Sequence, residues 1–473
     1  MSDIISAYPI TEQRTQTSRG TVVAATLGNL FECFDLYIYG IMAGTIAKLY
    51  FPTGNDTVSL LLFLGTFGVT FFMRPLGAIY LGNLGDKIGR KKVMSLSLFL
   101  MTVGMLIIAL APTYAMIGVL APAMVVGGRM LQGFSAGGEY GSATALLAEH
   151  NPQKRGFLSS WQTATQGLAM MLAAAFGAYL AWAVTPADFE SWGWRIPFLF
   201  GALLGPIGLY IRRGTSESSE FKATDVVEAP MLDMLRLQKT RVLSAAGMII
   251  LATITIWMSV FMPTYAVKQF HVDPATAFFG TIVTGGMIFV LSPLVGYLSD
   301  FIGRTSTMIV AVVATIILAH PAFALLQQSP TLHTLVTVQA ISGALIALYF
   351  GPLPALMAEI FPAKNRTSGL SLSYNLGVTI FGGFAPFVLT GIGSITADPL
   401  APSYYVILGA VLSGIAISSR VHASGCGDTS SAEGTLWSPI GQHDRESHGK
   451  GLRGRAADAP CCDQPRRLAR SIS

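Results

Sequence analysis

Six ionisable or strongly polar side chains stand inside stretches that are otherwise apolar, and their types suit two chemistries, proton carriage and anion binding. Glu32 and Asp35 occur three residues apart in GNLFECFDLYIYG, so a helix would present them on one face. Arg74 lies in FFMRPLGAIYLG, and Arg129, Gln132 and Glu139 lie in GRMLQGFSAGGEYG. A guanidinium grips a carboxylate through two parallel hydrogen bonds, which lysine cannot copy. Arg74, Arg129 and, on the same face as Arg129, Gln132 are therefore candidates for binding an anionic solute. A buried carboxylate whose charge depends on whether an arginine faces it can take up and release a proton as helices move. That is the candidate role of Glu32, Asp35 and Glu139. The alternative for each is an ion pair that only fixes helix packing, with Arg129 pairing either Glu32 or Asp35.

These residues need a scaffold, and the composition says which. Of 473 residues, 52% are hydrophobic and 12% charged, whereas soluble domains are about 25% charged. A fold this apolar would aggregate in water. A spanning helix needs about 20 apolar residues, and twelve such stretches are expected: 21–48, 58–83, 93–111, 114–147, 157–184 and 196–211, then 242–268, 275–298, 306–326, 331–357, 368–393 and 402–417. The expected fold class is an all-α integral membrane protein with twelve transmembrane helices. The net charge of +5 then reports loop bias and no nucleic-acid partner. The four cysteines, Cys33, Cys426, Cys461 and Cys462, give neither a disulfide framework nor metal spacing. No nucleotide-binding glycine loop, metal cluster or appended soluble domain is visible, which argues against an enzyme or a sensor. Residues 1–20 are polar, so the first span is expected to serve as the insertion signal.

Basic residues cluster after the even-numbered spans: Lys87, Arg90, Lys91 and Lys92; Lys154 and Arg155; Arg212 to Arg241 in the centre; Arg304; Lys364 and Arg366. The opposite loops hold Lys48, Arg195 and Lys268. Both termini and the central connector are therefore expected in the cytoplasm. Two motifs also repeat at nearly one offset. GNLGDKIGRKK at 82–92 returns as GYLSDFIGRTS at 296–306, and ALLAEHNPQK at 145–154 returns as ALMAEIFPAK at 355–364. The offsets are 300 − 86 = 214 and 359 − 149 = 210. The chain thus divides into a cytoplasmic segment 1–20, a six-helix half 21–211, a connector 212–241, a second half 242–417 and a tail 418–473. Two parallel, pseudo-symmetric halves place a substrate site between them near the bilayer midplane. Arg74, twelve residues (86 − 74) before Asp86, would lie roughly 18 Å deep. No mid-span charge is seen in the second half. Its cavity candidates are Tyr349, Tyr374 and Asn375, with Trp257 and Tyr265 beside them. Glu149 and Glu359, at matching span ends, read as gating or structural acids. The tail is rich in Gly, Arg, Ser and Asp, and reads either as a disordered cytoplasmic tail or as a shift of reading frame near residue 418.

Gly82, Asp86, Gly89 and Arg90, with the reduced copy Gly296, Asp300, Gly303 and Arg304, form a conformational motif. Gly82 and Gly89 allow close helix approach, and Asp86 can meet a basic residue or a helix N-terminus. The first copy matches G-x-x-x-D-[RK]-x-G-R-[RK]-[RK] throughout, the signature of the major facilitator superfamily. With GNLFECFD, GRMLQGFSAGGEYGSA, SWGWRIPF and AEIFPAKNRTSGLSLSYNLGVTIFGG, the chain to about residue 417 resembles that superfamily's metabolite:proton symporters. These include carriers of citrate, 2-oxoglutarate, shikimate, and proline or betaine. The resemblance implies proton-driven import of a small solute, in the closest look a di- or tricarboxylate such as citrate, with a zwitterionic osmolyte such as proline or betaine as the alternative. It implies transport roles for Arg74, Arg129, Glu32 and Asp35, no cofactor beyond the proton, and a monomer in a bacterial inner membrane. Two features depart from it: Thr305 and Ser306 replace the trailing basic pair, and the tail has no family character.

Overall fold

The computed structural model describes residues 19–88, 90–213, 238–362, 366–396 and 398–427, and its regular elements are all helical. The first rod is a bent pair, α1 (Arg19–Ile41) and α2 (Ala43–Tyr50), meeting at 65°. Then come α3 (Asp56–Ile88) and α4 (Arg90–Leu110). The fourth rod is broken: α5 (Leu120–Ala136) stops at Gly137 and Gly138, and α6 (Glu139–His150) resumes. The first six close with α7 (Arg155–Ala183) and α8 (Ile196–Arg213). The last six are α9 (Lys239–Phe270), α10 (Pro274–Ile302), α11 (Arg304–Gln328), α12 (Leu332–Phe350) with α13 (Leu353–Ile360), a composite rod, and α16 (Ala401–Gly427). The composite rod runs from α14 (Arg366–Gly377) through a π-turn at Val378–Gly382 into α15 (Ala385–Thr396). A helical rod therefore stands at each of the twelve expected positions. Among the described residues, eight helices are long and apolar enough to cross a bilayer, and nine with the bent pair. The fourth rod is broken into helices of 17 and 12 residues, each too short to span alone.

Large apolar side chains face outward, among them Phe72, Leu76, Ile79 and Tyr80 on α3 and Leu203 on α8. In a bilayer that surface meets lipid. The described residues up to Ser424 make one compact unit. Its most extensive helix seam joins α7 to α10 and runs through glycines. A Cβ on Gly167 would lie 2.7 Å from the Gly285 carbonyl oxygen, and one on Gly285 2.6 Å from that of Gly167. Gly156 and Gly296 meet in the same way nearer one end. Only residues without a Cβ allow backbones this close.

The last helix continues ten residues past its expected end, to Gly427 rather than 417. Ser418 and Ser419 read as a polar stop, yet their hydroxyls donate to the carbonyls of Gly414 and Ala416, both at 3.0 Å. A serine that bonds the preceding turn sits in a helix at little cost. The remaining tail, 428–473, lies outside the described residues, as do residues 1–18 and most of the connector, 214–237. Of the first conformational motif, Gly82 and Asp86 fall in the last turns of α3 and Arg90 opens α4. Gly89, and the side chains of Asp86 and Arg90, are outside the described residues.

Candidate functional site

A small cavity of about 30 Å³ lies between the first and last six helices. Its polar wall is Glu32 on α1, Arg74 on α3 and Gln166 on α7; its aromatic wall includes Tyr37, Phe71, Trp257 and Tyr374. Arg74 sits near the middle of α3, 18 residues after Asp56 and 14 before Ile88. Its guanidinium Nη2 meets Glu32 Oε1 at 2.7 Å, with both side chains almost fully buried. Burying each charge alone would be costly, and the pairing offsets that cost. Arg74 therefore reaches the cavity already engaged by Glu32.

The second pair lies off the cavity. Arg129 Nη1 stands 3.0 Å from Asp35 Oδ2 and donates to Gln132 Oε1 at 2.5 Å, while Gln132 Nε2 donates to Asp35 Oδ1 at 2.8 Å. The guanidinium lies 3.8 Å above the Tyr39 ring, a cation–π contact. Gly104 on α4 makes the room: a Cβ there would lie 2.6 Å from Gln132 Cγ. Arg129 and Gln132, expected to bind solute, are thus enclosed among the first six helices and do not line the cavity. Glu32 and Asp35 share a face as expected, but about 4.5 Å of rise separates them. That rise lets α3 supply one arginine and α5 the other. Glu139 opens α6 at the break in the fourth rod, is buried, and lies within electrostatic range of Glu32.

Two more expected solute contacts belong to helix seams. The Tyr349 hydroxyl donates to the Met248 carbonyl at 2.7 Å, tying α12 to α9, and its ring lines a separate, mainly apolar cavity among the last six helices. Asn375 Nδ2 donates to the Gly137 carbonyl at 2.9 Å, bridging α14 to the break in the fourth rod. Neither residue lines the central cavity. Tyr374 does, and it stacks on Tyr140 of α6 with centroids 3.5 Å apart. This stack floors the cavity. Its roof is Trp257, packed edge-on against Tyr37, Phe67 and Phe71 at 5.2 to 5.9 Å. The cavity has room for about one or two waters.

Beyond the floor, at the face that carries the basic loops, the two halves are bridged by charge. Arg366 Nη1 stands 2.7 Å from Glu149 Oε1. Glu359 Oε1 meets Arg304 Nη1 at 2.7 Å and Arg155 Nη1 at 3.7 Å. Arg155 and Arg366 each begin a helix and donate Nε to a carbonyl of the preceding rod, Ala148 and Ala358, both at 2.9 Å. Asp300 accepts the backbone N–H groups of Gly156 at 2.8 Å and Phe157 at 3.1 Å and also holds Arg304 at 2.9 Å. It therefore caps a helix N-terminus and pairs a base, the two contacts expected of its counterpart Asp86. Gly303 ends α10 at φ +100, a conformation side chains disfavour.

Sequence reasoning missed Gln166, Phe71, Tyr37 and Cys33 as cavity residues and the cross-half partners Arg155 and Arg366. For the arginines a signal existed: AEHNPQKR and AEIFPAKNR place them at matching positions of the repeat, one residue of insertion apart. Among the described residues no group of His, Cys, Asp and Glu could hold a metal.

A bundle of this plan, with a cavity between two sets of six helices, is that of a membrane carrier, and the chain belongs to the major facilitator superfamily, whose model matches residues 25–290 and 260–423. It is a transporter and not an enzyme, a multi-pass protein of the inner membrane. Among its relatives is the citrate-proton symporter of Klebsiella pneumoniae, 36% identical over 396 residues, covering 83% of this chain and 89% of that protein. The alpha-ketoglutarate permease of Escherichia coli K12 is 34% identical over 433 residues, covering 90% and 99%. The proline/betaine transporter of Salmonella typhimurium is 32% identical over 410 residues, covering 83% and 81%. In fold the chain is similar to the xylose transporter XylE of E. coli in a partially occluded inward-open conformation. The TM-score is 0.68 at 15% identity, with 85% of this chain and 97% of that one covered.

Proposed function

We propose that the chain is a proton-coupled symporter that imports a small organic acid, of the di- or tricarboxylate kind such as citrate, by alternating access. The observation that carries this reading is Arg74, which faces the central cavity with its guanidinium held by Glu32 at 2.7 Å. A carboxylate solute and Glu32 compete for one cation. A proton arriving on Glu32 removes its charge and frees Arg74, and the solute carboxylate takes its place. Release of the solute returns Arg74 to Glu32 as the proton leaves. Loading is thereby tied to protonation. Asp35 with Arg129, and Glu139, stand in the same set of six helices as further proton sites. The contacts of Glu149 with Arg366 and of Glu359 with Arg155 close the cytoplasmic side, with both termini in the cytoplasm. The working unit is a monomer, since this one chain supplies the whole cavity wall.

A second reading, import of a zwitterion such as proline or betaine, is favoured by Trp257 and the tyrosines, which suit a quaternary ammonium group. The relatives described above include carriers of both kinds. Uptake of labelled citrate, 2-oxoglutarate, shikimate, proline and betaine, with and without a protonophore, tests the proposal. Protonophore-sensitive uptake of an acid is expected. Uptake indifferent to the protonophore contradicts symport, and competition by betaine but not citrate moves the assignment to the second reading.

A further inference from the structure

Two hydrogen-bond donors on the cavity wall have no partner in the protein. One is Nε of Arg74, and the other is Nε2 of Gln166. Both residues are buried, 2% and 3% exposed. A buried donor left unmade is costly, and natural interiors contain few. The rest of that stretch of α7 is committed to packing. Gln162, one turn earlier, accepts from Thr144 Oγ1 at 2.5 Å and donates to the Tyr140 carbonyl at 3.4 Å. Thr163 donates to the Phe350 carbonyl, and Thr165 to that of Gln162, both at 3.0 Å. The next residue, Gly167, lies against the backbone of Gly285, so Gln166 projects from a segment that is held in place.

We infer that Gln166 is a substrate-binding residue, its side-chain amide forming with Arg74 the subsite for one carboxylate of the transported acid. This rests on the organic-acid reading above. A carboxylate accepts from both donors at once, one N–H from the amide and one from the guanidinium. The amide adds a donor without adding charge. Arg74 stays the cation for which solute and Glu32 compete, and the solute can still leave when Glu32 loses its proton. A lysine at 166 would hold the anion through that step.

The test is uptake of radiolabelled citrate and 2-oxoglutarate by proteoliposomes under an imposed pH gradient, comparing Gln166→Leu and Gln166→Glu with the unaltered protein. Gln166→Leu keeps the bulk and removes the donor, and Gln166→Glu keeps the shape and replaces donor by acceptor. Each is expected to raise KM for the acid about 10- to 100-fold, the range for a lost hydrogen bond to a charged group, with Vmax little changed. In a protein lacking Cys426, Cys461 and Cys462, more citrate should be needed to protect Cys33, which lines the cavity, from a small maleimide. A purely structural glutamine would lower Vmax and thermal stability while leaving KM and the protecting concentration alone, and that result overturns the inference. Should Gln166→Leu fail to insert, the isosteric Gln166→Glu decides by the same readouts. Failure of the unaltered protein to take up either acid overturns the organic-acid reading and this one with it. Acid uptake with ordinary KM in both variants overturns this one alone.

Discussion

Arg366 and Glu149 lie 217 positions apart in the chain and meet at 2.7 Å, whereas their counterparts in the repeat, Arg155 and Glu359, stand 3.7 Å apart with Arg304 closer to the acid at 2.7 Å. The two bridges share a plan and differ in geometry. One is a single direct pair between halves; the other is a triad in which the second half's own arginine takes the acid.

The direct pair is partly exposed, so its contribution to the closed state is about 1 kcal/mol, or about fivefold in population. Arg366→Ala is expected to raise the rate at which Cys33 reacts with a maleimide supplied from the cytoplasmic side by about that factor. The charge swap Glu149→Arg with Arg366→Glu should restore the original rate. A rate that Arg366→Ala leaves unchanged would remove this pair from the closing mechanism.

Arg74→Ala should abolish uptake of a carboxylate while the protein is still made and inserted. Arg74→Lys should recover little, because a single ammonium cannot reproduce the planar fork. Transport assays on vesicles matched for carrier content check both; uptake near the original level in Arg74→Ala would refute the assignment.

Glu32→Gln mimics the protonated acid and releases Arg74 permanently. Exchange of internal for external solute should persist, while uptake driven by a pH gradient should fall at least about tenfold, the loss expected of a missing proton site. Equal loss of both activities would make Glu32 a packing residue only.

Asp35→Ala leaves the guanidinium of Arg129 buried without its counter-charge, an error of about 3–5 kcal/mol. Thermal unfolding in detergent should fall sharply, and Asp35→Asn, which keeps the contact with Gln132, should fall less. Equal unfolding temperatures for Asp35→Ala and the unaltered protein would show that the triad does not support the fold.

The charged side chains of the first six helices were legible because each interrupts an apolar run. Their pairing was not, since Glu32 and Asp35 share a face and only the placement of α3 and α5 decides which arginine each meets. Tyr349 and Asn375 had the right chemistry for a ligand, yet their polar atoms are taken by the carbonyls of Met248 and Gly137, contacts between distant parts of the chain. Gln166 was hidden for the opposite reason. It sits among Gln162, Thr163 and Thr165, and sequence cannot tell which member of such a group is already bonded. The two-half plan was legible from the repeat alone, and so in principle were Arg155 and Arg366. The end of the last helix was misplaced because serines look polar in a sequence but bond inward on a helix.

The glycine seam between α7 and α10 has a consequence for movement. Packed helices normally lock ridges of side chains into grooves, and changing their angle means lifting one set out of the other. Where Gly156 faces Gly296 and Gly167 faces Gly285, those ridges are interrupted. Turning these two helices against each other would lift fewer side chains at those points than at a seam without glycines. The contacts that any opening of the central cavity would have to break are instead those of its floor and roof, the Tyr140–Tyr374 stack and the Trp257 cluster.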